Sequence, residues 1–199
     1  MKKWFDTIQL EGQKVKLIPM LETHKSALLK AVADGKLWEL WFTSAPSVDT
    51  IDSYVEKALN DSNEGTAFPF VVLDKKSGKI IGTTRYCNAS LENKRLEIGF
   101  TWYSERFQLT GVKTECKHLL LKFAFEELNC IAVEFRTNWH NLRSRVAISR
   151  LGAKQDGVLR NHSLNKDGSV RDIVVFSITN HEWAGVEKSL KYEMTKTRE

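Results

Sequence analysis

At 199 residues and 42% apolar content the chain can bury one sizeable core, so one domain is expected over residues 1–199, with its core from about Val15 to Trp183. The formal charge of +5, from 30 basic and 25 acidic residues, favours an anionic partner; no basic tract alternates with aromatics, which argues against a nucleic-acid surface. Three widely spaced cysteines without a ligand-spaced histidine, no apolar h-region at MKKWFDTIQLEG and no membrane-length apolar window argue against metal, secretion and membrane insertion, leaving reduced, buried thiols and a cytoplasmic protein as the expectation.

VKLIPM, Val15 to Met20, predicts a first strand, and a helix follows from about Glu22 to Asp34, stopping near Gly35. Trp38, Trp41 and Phe42 cluster in the link after it. Helical spacing resumes through Ile51, Tyr54, Val55 and Leu59, predicting a second helix over Asp49 to Asn60 with Asp49 or Thr50 as N-cap. FPFVVL (Phe68 to Leu73) and KIIGTTRYC (Lys79 to Cys87) are strands joined by the hairpin residues DKKSG, and RLEIGFTWY (Arg95 to Tyr103) is the next strand.

The stretch RFQLTGVKTECKHLLLKF then sets a polar loop directly before a helix. Val112, Cys116, Leu119, Leu120, Phe123 and Leu128 keep one helical face, so this helix should run to about Leu128. IAVEFRTN is strand-like, and Asn141 to Leu151 reads as a shorter helix, with Asn141 as N-cap and Gly152 as its stop. Two last strands, Lys154 to Leu164 and Asp172 to Thr179, are linked by NKDGS, and the charged tail from Trp183 is either a terminal helix or partly disordered. This order implies a mixed α/β sheet in which the Arg95 strand runs parallel to the Ile131 strand through a right-handed crossover.

Gly111 before a helix start has two readings. It is a plain turn, or it lets backbone N–H groups that lack helical partners surround an anion. The order of a strand ending in EIGFTWY, a Q-x-x-G-V loop, a helix and then N-x-x-S-x-x-A-I-x-x-L-G-A resembles the GNAT acetyltransferase superfamily, and within it the RimJ/RimL-like branch of ribosomal-protein N-alpha-acetyltransferases. The likeness extends to the late hairpin strand RDIVVFSI and the EW that follows it.

That resemblance implies a central mixed sheet with splayed parallel strands flanked by helices, with acetyl-coenzyme A as cofactor. Gln108, Leu109, Thr110, Gly111, Val112 and Lys113 would hold its pyrophosphate. Backbone groups of Phe100, Thr101 and Trp102 would line its pantetheine arm, with Asn138, Asn141 and Ser144 also on the cofactor. Lys113 stands where a second small residue is usual, and Ile148 stands where many members carry a tyrosine that protonates the thiolate. Ser144 is the alternative donor to the sulfur, or else it satisfies the first helical turn. Glu97 is the candidate base or amine anchor, or else a strand carboxylate paired with Arg95 or Arg136. An α-amine, which titrates near ~7.8 against ~10.4 for lysine, needs only a modest base.

Cys116 and Cys130 read as core rather than as nucleophiles, so direct attack in a ternary complex is expected. His118, His140 and His162 read as surface or structural groups, His140 being worth testing because it precedes Asn141. Trp38, Trp41 and Tyr86, with Phe42, are candidates for the acceptor groove, or else they are core packing, the commoner role of such aromatics. The family's acceptors include protein N-termini, amino acids, polyamines and antibiotics; a peptide or protein α-amine is favoured. A non-catalytic acyl-coenzyme A sensor is the competing class, and related proteins are often homodimers.

Overall fold

The computed structural model describes Trp4 and residues 8–108, 110–165 and 167–196. Its strands form one eight-stranded sheet in the order β1-β2-β3-β4-β5-β6-β8-β7: β1 (Leu10–Glu11), β2 (Val15–Pro19), β3 (Phe68–Asp74), β4 (Lys79–Ser90), β5 (Arg95–Tyr103), β6 (Ala132–Asn138), β7 (Lys154–Leu164) and β8 (Val170–Thr179). Every neighbouring pair is antiparallel except β5 and β6, which are parallel as the crossover predicted. FPFVVL lacks polar alternation because β3 is covered on both faces.

Alternate residues of the central strands feed two clusters. Val71 and Trp102 pack against α1 (Lys25–Ala33) and α2 (Ile51–Asn63) through Leu28, Val32, Ile51 and Val55. Phe70, Tyr86, Leu96 and Ile98 belong to the larger cluster with α3 (Val112–Lys122), α4 (Leu142–Arg150) and α5 (Asn180–Thr195). Among the described residues no helix is long and apolar enough to cross a membrane.

Some boundaries differ from expectation. The second helix starts at Ile51; Thr50 is at the N-cap position, but its hydroxyl accepts the Ser47 N–H at 2.8 Å instead of capping. β4 runs on to Ser90, and β8 begins at Val170. The helix predicted to reach Leu128 is α-helical only to Lys122 and then widens into a π turn, Phe123–Glu127, closed by Leu128 N–H to Phe123 O at 3.0 Å. Aromatic packing accounts for the wider turn: Phe123 stacks on Tyr86 (6.5 Å between centroids) and Phe125 on Trp183 (5.4 Å).

The tail from Asn180 to Thr195 is helical. The EW pair of the sequence motif explains its start: the Glu182 carboxylate accepts the Thr179 N–H at 2.9 Å in a capping box, and the Trp183 indole N–H donates to Glu126 at 3.1 Å.

One irregularity shapes the centre of the sheet. β5 and β6 pair only at Arg95↔Ala132, Leu96↔Val133 and Glu97↔Glu134, although β5 continues to Tyr103 and β6 to Asn138. Beyond Glu97 the two strands separate. On its other side β5 carries a bulge, its register with β4 shifting between Arg85↔Gly99 and Thr83↔Trp102, and Phe100 sits there at φ +50. A bulge bends and twists its strand, and a left-handed backbone at a bulky residue is strained, so β5 is turned away from β6 at a definite point.

Candidate active site

The mouth of the opening is built by the loop after β5. Gly111, at φ +84, is the N-cap of α3, and no side chain caps that helix. The first-turn N–H groups therefore face outward without intrahelical partners. A Cβ on residue 111 would lie 3.1 Å from Lys14 Nζ, and that ammonium donates to Thr110 O at 3.1 Å. Gln108 braces the loop: its Nε2 donates to Tyr103 O at 3.1 Å, and its Oε1 accepts Arg143 Nη2 at 2.7 Å. Lys113 is half-buried, and burial, then the Arg143 guanidinium, holds its ammonium below the ordinary lysine range. Leu109 lies outside the described residues.

Lys14 is held in place by a contact that joins distant parts of the chain. The buried Glu115 carboxylate on α3 accepts the N–H groups of Gln13, Lys14 and Val15 at 2.8, 2.9 and 3.0 Å. Two turns of α3 thereby carry Lys113, Glu115 and Lys117. Lys117 is buried, donates to Thr101 Oγ1 at 3.0 Å, and Thr101 in turn shares a 2.7 Å hydrogen bond with Thr84. Burial, then the neighbouring Lys113 charge, brings the Lys117 ammonium down to about 7.

Where the strands part stands Glu97, the last residue of β5 in register with β6. It is 7% exposed; its Oε2 accepts Asn88 Nδ2 at 2.8 Å and lies 3.5 Å from Arg136 Nε. Of the two expected cations only Arg136 reaches it, because Arg95 pairs with Glu134 at 2.6 Å, and Arg136 itself is closer to Glu134, at 3.0 Å. Burial raises the Glu97 pKa against the opposing pull of Asn88 and Arg136. Gly99 gives the carboxyl its room, since a Cβ there would meet Glu97 Oε1 at 2.9 Å and Cys87 Sγ at 3.0 Å.

The opposite wall comes from the β6 to α4 turn. Asn138 is buried; its Oδ1 accepts the His140 N–H at 2.8 Å, while its Nδ2 has no hydrogen-bond partner among the described residues. Asn141 caps α4 as predicted, its Oδ1 accepting Ser144 N–H at 3.0 Å. Ser144 is half-exposed, and Ile148, the residue standing where the resemblance expects a tyrosine, is buried in the core.

Trp38 and Trp41 are surface residues, 37% and 59% exposed, and the Trp41 ring lies 5.5 Å from that of His140, so the link between α1 and α2 reaches the β6 to α4 turn. Tyr86 requires a correction as a groove residue. It is fully buried, donates to Leu120 O at 2.6 Å and packs on Phe70. Strand alternation explains this: Tyr86 points toward α3, opposite to its neighbours Arg85 and Cys87. All three thiols are buried, and burial pushes Cys116 and Cys130 up to about 12, so neither supplies a thiolate near neutral pH. Lys14, Glu115, Lys117 and Arg143 were not foreseen; the one available signal was the charged Glu115 and Lys117 flanking Cys116 on an otherwise apolar helical face.

Residues 14–154 match the family model described as the acetyltransferase (GNAT) domain, and the chain belongs to that family of acetyl-CoA-dependent N-acetyltransferases. It is 31% identical over 108 residues to YdaF of Bacillus subtilis (strain 168), provisionally named a ribosomal N-acetyltransferase, spanning 54% of this chain and 58% of that one. The crystal structure of a GCN5-related N-acetyltransferase from Brucella melitensis superposes with a TM-score of 0.84 at 25% identity, covering 96% of this chain and 86% of the other. The fold is shared with Mycobacterium smegmatis RimJ, solved with CoA-disulfide, at a TM-score of 0.75 and 21% identity over 94% and 93% of the two chains.

Proposed function

We propose that the chain acetylates the α-amine of a peptide or protein by direct attack on the acetyl-CoA thioester. The observation that carries this reading is the parting of β5 from β6 immediately after Glu97, which sets a buried carboxyl, its pKa raised by that burial, at the apex of the opening. Acetyl-CoA, when bound, supplies the electrophilic acyl carbon. The residues present fit it: an uncapped helix start behind Gly111, with Lys14, Lys113 and Arg143 around it, suits a diphosphate. The unpaired edge of β5 at Phe100, Thr101 and Trp102 offers backbone groups to an amide-bearing arm, and the orphaned Asn138 Nδ2 offers a donor from the other wall. Asn141 keeps its own Nδ2 free of the cap it makes with Oδ1.

In this reading Glu97 accepts the acceptor's ammonium proton, directly or through water, leaving a neutral amine to form the new C–N bond. The Ser144 hydroxyl hydrogen-bonds the departing sulfur as the C–S bond breaks, and the proton that the nitrogen sheds on forming the amide passes through water to that sulfur, giving the free thiol. Exposed Trp38 and Trp41 stand at the rim as contacts for the acceptor chain. The ribosomal name given to YdaF is a further pointer to a protein N-terminus.

The test is release of free coenzyme A thiol on addition of peptides with free N-termini, run beside amino acids, polyamines and N-acetylated peptides. Turnover of small amines with none on peptides would overturn the peptide assignment. Ser144→Ala is expected to lower kcat about tenfold with unchanged coenzyme A affinity, as befits loss of one hydrogen bond made chiefly to a developing charge. Gly111→Ala should act on the other parameter. A non-glycine residue at this φ costs of order 1–3 kcal/mol, and the added methyl crowds Lys14, so coenzyme A should bind about tenfold more weakly by calorimetry.

A further inference from the structure

Among the largest fully buried side chains of the described residues, one is a cation. Arg85, on β4, is 1% exposed and lies on the sheet face that carries Glu97 and Gly99, opposite Gly99 in the β4–β5 register. Its guanidinium is sandwiched between the rings of Tyr54 on α2 (4.6 Å) and Phe100 at the bulge (4.2 Å). Among the described residues only Nη2 finds a hydrogen-bond partner, Tyr54 O at a long 3.4 Å; Nε and Nη1 find none.

Stacking on aromatic faces compensates the charge in part, but it satisfies no N–H group. The nearby carboxylates are committed elsewhere. Glu97 is held by Asn88 and Arg136, and Glu134 by Arg95 and Arg136. The Cys87 thiol feels both Glu97 and Arg85, so the carboxyl and the guanidinium flank it on one face. A buried guanidinium fork with open donors matches a carboxylate, which accepts two parallel N–H bonds. The donor's diphosphate is a poor candidate, because the Gly111 loop follows Tyr103, four residues or roughly 13 Å along β5 from Gly99.

We propose that Arg85 is the anchor for a carboxylate on the acceptor, so that the acceptor's amine meets Glu97 while its anionic group enters the space between Tyr54 and Phe100. Both rings are half-exposed, and the Phe100 side chain must rotate for Nε and Nη1 to meet the incoming carboxylate, the Tyr54 hydroxyl being held by the Trp102 indole N–H at 3.3 Å. This rests on the acetyl-transfer reading of Glu97 and narrows it to acceptors that carry a carboxylate, either the α-carboxylate of a free amino acid or an acidic side chain close to a peptide's N-terminus.

The experiment uses matched acceptor pairs with saturating acetyl-CoA: amino acids against their amides, and peptides with Asp or Glu at the second or third position against the Asn or Gln equivalents. Wild type should favour the carboxylate member of one pair by about tenfold or more in kcat/KM, and the arm showing the preference identifies the source. Arg85→Gln should abolish the preference, and Arg85→Lys should keep part of it. Equal rates on both members of every pair would overturn the anchor while leaving acetyl transfer intact, as would an equal loss on both in a folded Arg85→Gln variant. Melting shifts of wild type with N-acetyl amino acids and N-acetylated acidic peptides, against their amides, give an independent readout. If no amine at all is turned over, the Glu97 reading fails, and those shifts still decide whether Arg85 holds a carboxylate.

Discussion

Replacing Glu97 by glutamine is expected to lower kcat by about two orders of magnitude, the lower range for loss of a general base, with coenzyme A affinity within about twofold of wild type. The exchange keeps the shape of the site. An amide oxygen at the same place still accepts from Asn88, and Arg136 retains Glu134 at 3.0 Å. What disappears is the group that can take a proton. The wild-type pH profile of kcat/KM should carry an acid limb above the ordinary carboxylate range, because burial raises the Glu97 pKa, and the variant should lack that limb.

Stability should move the other way. A carboxyl whose folded pKa lies above its unfolded value stabilises the fold below the unfolded pKa, and that contribution is lost as pH rises through the folded pKa. At neutral pH the ionised Glu97 therefore weighs against the fold, and Glu97→Gln should melt no lower than wild type. A variant that turned over normally, or one that lost activity by unfolding, would remove Glu97 from the mechanism.

The second large effect is expected at Glu115. Its carboxylate satisfies three consecutive backbone N–H groups, and Glu115→Ala leaves those donors facing a void. With unsatisfied buried donors costing about 1–3 kcal/mol each, and the bonds from the exposed Gln13 and Lys14 only partly buried, a loss of about 3–4 kcal/mol follows. In a chain of this size that is a melting point lower by about 10 °C. Function should suffer separately, because the same contact sets Lys14 beside Thr110: KM for acetyl-CoA should rise while kcat changes little. Glu115→Gln, which retains one acceptor oxygen, should fall between the two. If the alanine variant melts like wild type, the three hydrogen bonds contribute nothing net, and the turn is held by strand pairing alone.

Much of this was legible in the sequence because it is local. Alternation and helical spacing placed the longer strands and the helices up to α4, while the charged tail that forms α5 was left between helix and disorder; RLEIGFTWY was bounded correctly at both ends because charged and loop residues flank a strand of one register. Asn141 was readable as a cap because its chemistry is completed three residues away. Tyr86 was misplaced for want of one fact, the face on which β4 presents its even residues, and register is set by partners distant in the chain. The π turn escaped for the same reason, since spacing suited to an α-helix fits almost as well when one residue is inserted and tertiary aromatic contacts decide. Glu115 and Lys14 are about a hundred positions apart, and nothing local to either announces the other.

The chain leaves the sheet after β2 and returns in β3 beside it, the Met20 N–H bonding to Pro69 O at 2.9 Å. Everything between, both helices and the tryptophan-bearing link, is thus a single detour whose two ends are clasped by neighbouring strands. The excursion also braces the loop after β5, since Asp34 O accepts the Glu105 N–H at 3.0 Å and the Asp34 carboxylate pairs with Arg106 at 2.7 Å. A change within that detour, bounded by residues 20 and 69, is therefore transmitted to the segment that leads into the Gly111 turn.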